Sequence, residues 1–175
     1  MTTSVEETTR EEREHPFWSP IFATCVLLVP ASIGLISGQL LLFPSLGPIA
    51  VMQAHLPRHR SSRLYNILVS HLVGLAAADL FVILFGLAAA PSVFYTQHLS
   101  GARVMVTLLA LLVGTGAELI LRASHPPAAA TTMLAALGSF RPTAHDTAWV
   151  VSGVVIVAVV GDAGRRFRMR YHLGT

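Results

Sequence analysis

The chain has 175 residues, 53% hydrophobic and only 12% charged, with a mean hydropathy of +0.63, a net charge of +3 and a pI near 9.8. Soluble domains carry roughly 25% charged residues, so this composition excludes an ordinary soluble domain and places the chain in lipid. The arginines stand at the edges of apolar blocks, which is the positive-inside arrangement and not a nucleic-acid-binding stripe, and the lone Cys25 excludes an intrachain disulfide framework or a cysteine metal cluster.

Residues 1–16 are polar and rich in acids (Glu6, Glu7, Glu11, Glu12 and Glu14, with Arg10 and Arg13). That suits neither a signal peptide, which starts basic, nor a transit peptide, which is poor in acids, so the stretch reads as a solvated tail. Phe17 and Trp18 follow as an interfacial anchor. Residues 20–42 form the first predicted span. It contains Gly34 and Gly38 at the spacing that permits close helix approach. The span stops at Phe43-Pro44-Ser45-Leu46-Gly47-Pro48, and a short apolar segment runs on to about His55. Ser45 is placed to cap that segment, and Pro48 is tolerable in its first turn. A basic loop, residues 57–63, leads into a second span at 64–90. The uncharged loop from Pro91 to Gly101 and a third span at 102–122, bounded by Arg103 and Arg122, come next.

The stretch Ser124-His125-Pro126-Pro127 then opens a second short helix, predicted over 124–138. Two prolines fit first helical positions, Ser124 or His125 can serve as N-cap, and Gly138 can end the helix. A dozen helical residues reach roughly 20 Å, short of a hydrocarbon core of about 30 Å. A polar turn from Ser139 to Asp146, a last span at 147–163 and the run Arg165, Arg166, Arg168, Arg170 close the chain. The predicted organisation is an acidic tail (1–16), one transmembrane domain (17–165) and a basic cytoplasmic tail (166–175).

The expected fold is all-α and polytopic, with two repeated halves, each a long helix, a short helix started by proline and glycine, and a long helix. If the short helices count as crossings, residues 58–63, Arg122 and the arginine tail share one face with the N-terminus, and the positive-inside rule puts both termini in the cytoplasm. Each half then crosses three times, and the halves are inverted. If the short helices are re-entrant there are four spans and parallel halves, with residues 58–63 outside, against the rule. The charge pattern favours the inverted arrangement.

Corresponding short, interrupted segments in two halves are the pattern of repeat-built transporters, whose half-helix N-termini aim positive dipole ends at anionic substrates. Exposed N–H groups at two such ends make an anion site without a fixed cation. Ser45, Ser124, Thr131 and Thr132 offer hydroxyls, and His125 offers a donor of variable charge. The alternative is that proline and glycine only let helices kink and pack. Asp79, near the middle of its span, and His71, two turns earlier, are candidates for gating or proton coupling, because an ionisable group at membrane depth costs at least about 2.5–3.5 kcal/mol. The alternative for Asp79 is a protonated side chain hydrogen-bonded to a neighbouring helix. Glu118 with Arg122 and Asp162 with Arg165 read as structural pairs. Pro57 separates His55 from His59, no metal-ligand or nucleophile motif occurs, and neither an enzyme, a metal nor a cofactor is expected.

His125-Pro126-Pro127, followed by Ala128-Ala129-Ala130-Thr131-Thr132 and Leu137-Gly138, resembles the signature of the HPP family of small integral membrane proteins, named for that tripeptide. The resemblance takes in Phe43-Pro44-Ser45-Leu46-Gly47-Pro48 and Ser70-His71-Leu72-Val73-Gly74, and so most of residues 20–165. It implies four spans, against the six crossings of the charge argument, and both counts stay open at this point. Plant plastid and cyanobacterial members are associated with nitrite transport. The resemblance therefore implies a transporter or channel for a small inorganic monoanion, nitrite first, although the acid-rich start departs from a plastid precursor. The expected site joins Ser45, Leu46, Gly47 and Pro48 to Ser124, His125, Pro126, Pro127, Thr131 and Thr132, with His71 and Asp79 for gating. The expected setting is a bacterial-type inner membrane and a homo-oligomer; the alternative is a non-transporting accessory subunit.

Overall fold

The computed structural model describes residues 18–171, so the acidic tail, Phe17 and the last four residues lie outside the described part. All regular structure there is helical: α1 (Trp18–Ser37), α2 (Leu46–His55), a 3-10 turn (Arg60–Ser62), α3 (Leu64–Leu84), α4 (Val93–Thr96), α5 (Gly101–Ile120), α6 (Pro127–Ala136) and α7 (Ala144–Tyr171). Four helices, α1, α3, α5 and α7, are long and apolar enough to cross a membrane. α2 and α6 have 10 residues each, about 15 Å, and neither crosses alone.

The predicted boundaries shift for local reasons. α1 stops at Ser37 because Gly38 turns left-handed (φ 69°), five residues before the predicted end. α3 ends at Leu84, not 90, in a Schellman closure: Gly86 (φ 67°) donates to Ile83 O and Leu87 to Val82 O. α6 ends the same way around Gly138, and α5 does so around Arg122, which takes φ 52° without being glycine. α7 starts at Ala144, where the Thr143 hydroxyl accepts from Asp146 N at 3.2 Å, and runs to Tyr171. Arg166 to Arg170, read as the start of a tail, are therefore helical. Among the described residues the Gly34/Gly38 spacing serves no helix partner: a Cβ on Gly34 would stand 2.9 Å from Gln39 O, in the turn that ends α1.

Hydrogen bonds sort the chain ends into two groups. Ser19 Oγ and Arg168 Nη1 both donate to Ala54 O, Arg165 Nη1 donates to Pro57 O (2.5 Å), and Tyr65 Oη donates to Leu121 O (3.1 Å). These place the start of α1, the end of α2, the start of α3, the end of α5 and the end of α7 together. At the opposite end, Arg103 Nη1 donates to Ala136 O (2.9 Å), Arg103 Nη2 to Ala90 O (3.0 Å) and Val93 N to Leu137 O (3.1 Å). Successive legs thus run in alternating directions. Residues 38–55 retrace α1 as a non-helical stretch plus α2, and residues 122–138 retrace α5 as a non-helical stretch plus α6. The described part therefore has four span-length helices and two broken return legs. Among the described arginines only Arg103 and Arg141 lie away from the first, basic end.

Small residues set the contacts. α3 packs along α5 and α6, while α1 and α2 pack against α7. A Cβ on Gly114 would lie 3.4 Å from Gly74 Cα and 3.7 Å from Ala77 Cβ, so α3 and α5 approach almost backbone to backbone. Gly153 of α7 does the same for the non-helical leg, facing Leu41 O and Phe43.

Candidate functional site

The N-terminal ends of α2 and α6 meet in the interior. Ser45, which flanks α2, and Thr131, one turn into α6, share a 2.7 Å hydrogen bond across 86 residues of sequence. Thr131 Oγ1 also lies 2.8 Å from His71 Nδ1 on α3. Ser45 and Thr131 are fully buried, and His71 is 3% exposed. The His125 ring, also fully buried, sits with its centroid 5.4 Å from that of His71. His125 Nδ1 is 2.7 Å from Ser61 O in the 3-10 turn.

Neither short helix is capped as the sequence suggests. Ser45 has helical φ and ψ and makes no cap bond, because its hydroxyl is spent on Thr131. α6 is flanked by Pro126, without a side-chain cap. At the start of α6, Pro126 and Pro127 have no N–H, Ala128 N donates to His125 O (2.9 Å) and Ala129 N to Pro126 O (3.2 Å). In α2, Leu46 N donates to Phe43 O at 3.0 Å and Pro48 has no N–H. The side chains of Ser45 and Thr131 meet between two converging positive dipole ends.

Of the other predicted residues, Pro127, Thr132 and Leu46 are buried in helix contacts; the Thr132 hydroxyl turns back to Ala128 O (3.1 Å). Gly47 is half-buried, while Pro48, Ser124 and Pro126 are exposed, and Ser124 contributes only its carbonyl, to Asn66 Nδ2 (3.2 Å). Asp79 stands apart from the cluster and accepts from Thr147 Oγ1 of α7 at 3.2 Å. Glu118 is not paired with Arg122. Its carboxylate faces the His125 backbone instead, because the left-handed turn at Arg122 swings that side chain outward and brings residue 125 back over α5. Asp162 does pair with Arg165, and also with Arg166.

Sequence reasoning missed the clamp on the His125 connection. Asn66 donates to Ser124 O and Ser70 to Ala123 O, while Gly74 admits Thr132. Positions 66, 70 and 74 are spaced i, i+4, i+8, a small and polar stripe on an otherwise apolar span that could have marked this face. It also missed Arg103, whose buried guanidinium sits on the carbonyl end of α6 as Arg168 sits on that of α2.

A cavity of about 70 Å³ opens between α3 and α7, walled by Leu68, Leu75, Val150 and Val154, with His71 and Thr131 at its inner side. Leu72 and Val155, both exposed, flank its mouth. His71 Nε2 and His125 Nε2 are buried without a hydrogen-bond partner. Among the described residues no three His, Cys, Asp or Glu side chains gather closely enough to hold a metal ion. Residues 8–172 match the family described as HPP, transmembrane region. No curated protein and no solved structure matches the chain.

Proposed function

We propose, since the chain belongs to the HPP transmembrane-region family of membrane proteins, that it is a transporter or channel for a small inorganic monoanion, nitrite first. The observation that carries this reading is the buried Ser45–Thr131–His71 chain at the junction of two broken legs. A hydroxyl–hydroxyl–imidazole chain has no structural need to lie at the centre of an apolar bundle, where each polar group must be partnered or costs free energy. Two half-helix N-termini bias the spot toward negative charge, and the hydroxyls and imidazole supply the hydrogen bonds. Broken legs at the midplane are where transporters place their substrates.

The same reading makes the halves an inverted repeat. It is supported by the alternating legs and by an exchange of partners, in which α1 and α2 pack on α7 while α5 and α6 pack on α3. The arginine-rich end faces the cytoplasm of a bacterial-type inner membrane and carries both termini. Asp79 serves as a gating residue through its bond to Thr147, which spans the two helices flanking the cavity. The protein works as a homo-oligomer, with no catalytic step and no cofactor.

Uptake of nitrite into liposomes containing the purified protein tests this. Wild type is expected to give protein-dependent flux that Thr131→Val lowers at least about tenfold, with the helical content of the protein unchanged. Folded wild-type protein that moves none of nitrite, nitrate, formate or chloride would overturn the reading in favour of an accessory subunit.

A further inference from the structure

The two imidazoles at the site differ in what they can offer a substrate. A carbonyl only accepts, so the hydrogen of His125 lies on Nδ1, toward Ser61 O, and the unpartnered Nε2 of the neutral ring is an acceptor. His71 is set differently, because its Nδ1 faces a hydroxyl that can either give or take a hydrogen bond. When Ser45 donates to Thr131 and Thr131 to His71 Nδ1, the ring hydrogen of His71 stands on Nε2, and this second unpartnered atom is a donor. The pair then presents one donor and one acceptor, on rings 5.4 Å apart.

A bare anion carries only acceptors and would leave the His125 lone pair facing negative charge. A protonated oxyacid, with one O–H and one further oxygen, satisfies both nitrogens. The cavity beside His71 and Thr131, which His125 does not line, points the same way, since leucine and valine wall it and no charged side chain does; an uncharged species crosses such a wall far more cheaply than an ion.

Among the described residues no arginine is hydrogen-bonded to either ring. α1 has no titratable side chain apart from Cys25, and α2 has only His55, at its basic-end terminus. The 3-10 turn carries Arg60, whose side chain is exposed, and His59 before it accepts from Ser61 N. Glu118 of α5 faces the His125 backbone, and Arg103 of α5 is on carbonyls at the far end of α6. On α7, Asp162 is paired with Arg165 and Arg166 at the basic end, and His145 and Asp146 pair at the other end. Asp79 of α3 is on Thr147.

Resting on the transporter reading above, we propose that the His71–His125 pair binds the protonated, uncharged form of a small oxyacid, its O–H donating to His125 Nε2 and its other oxygen accepting from His71 Nε2. Proton and anion cross together, and no covalent bond is made or broken.

The test measures nitrite, formate and nitrate uptake into proteoliposomes between pH 5.5 and 7.5, after subtraction of protein-free liposomes, with lumenal pH and membrane current recorded. Protein-dependent nitrite and formate flux should rise about tenfold for each unit of pH lowered, following the protonated fraction. It should acidify the lumen and carry no net current, and nitrate, the anion of a strong acid, should be at least about tenfold slower. His125→Asn, which keeps a donor for the Ser61 carbonyl but removes the ring acceptor, should lose the flux while staying folded. Current-carrying flux that ignores pH and accepts nitrate equally would overturn the proposal and leave the transporter reading standing. Absence of protein-dependent flux for every substrate would end both. The wild-type current and pH record decides the matter even if the variant does not fold.

Discussion

The two short helices share a plan and differ in what they give the site. Each has 10 residues, begins near proline in the interior, and ends on an arginine: Arg168 for α2 and Arg103 for α6. At the start of α2, Ser45 sends its hydroxyl across to the other half. At the start of α6, Ser124 faces outward, and the chain before the helix is held by Asn66, Ser70, the Ser61 carbonyl and Glu118. One start is a contributor, and the other is a clamped platform that presents His125 and Thr131. Similar helix openings do not imply similar chemistry, because a flanking serine that makes no cap bond has its hydroxyl free to bond elsewhere.

Breaking the arginine ends should show the largest effect. Arg103→Met strips the donor from Ala136 O and Ala90 O in a buried setting and should destabilise by about 3 kcal/mol. Arg168→Met, on a half-buried side chain, should cost about 1 kcal/mol or less. Equal losses in denaturant unfolding of the two variants would contradict the asymmetry.

The contrast between the helix starts is sharpened by Thr131→Val and Ser124→Ala. The first leaves Ser45 and the His71 ring without their shared partner and should cost roughly 2 kcal/mol as well as flux. The second touches an exposed hydroxyl and should stay within about 0.5 kcal/mol of wild type in both stability and transport. Loss of flux in Ser124→Ala would restore the first turn of α6 as a direct binding element.

The smallest expected change is a gain. Arg122 holds a left-handed conformation (φ 52°) at the closure of α5, where glycine would sit without penalty. Arg122→Gly should therefore stabilise the protein by about 1 kcal/mol. A lower melting temperature would mean that the guanidinium at this end contributes more than the backbone strain removes.

Hydropathy and charge alone determined that the chain is an all-helical membrane protein, where its four long helices lie to within about eight residues at their ends, and that arginines collect at one end. Those properties are sums over many side chains against lipid and water, so no partner need be known. The motif spellings around Ser45, His71 and His125 name residues that the fold brings near one another. Tertiary structure alone decided which members meet. It brought Ser45, Thr131, His71 and His125 together, left Asp79 with Thr147, and turned Ser124, Pro48 and Pro126 outward. It also moved Glu118 from Arg122 to the His125 backbone and put Arg103 on a helix end. A side chain's partner is set by the rotation and crossing of helices far apart in sequence, here by the glycine contact of α3 with α5, and no local pattern encodes that geometry.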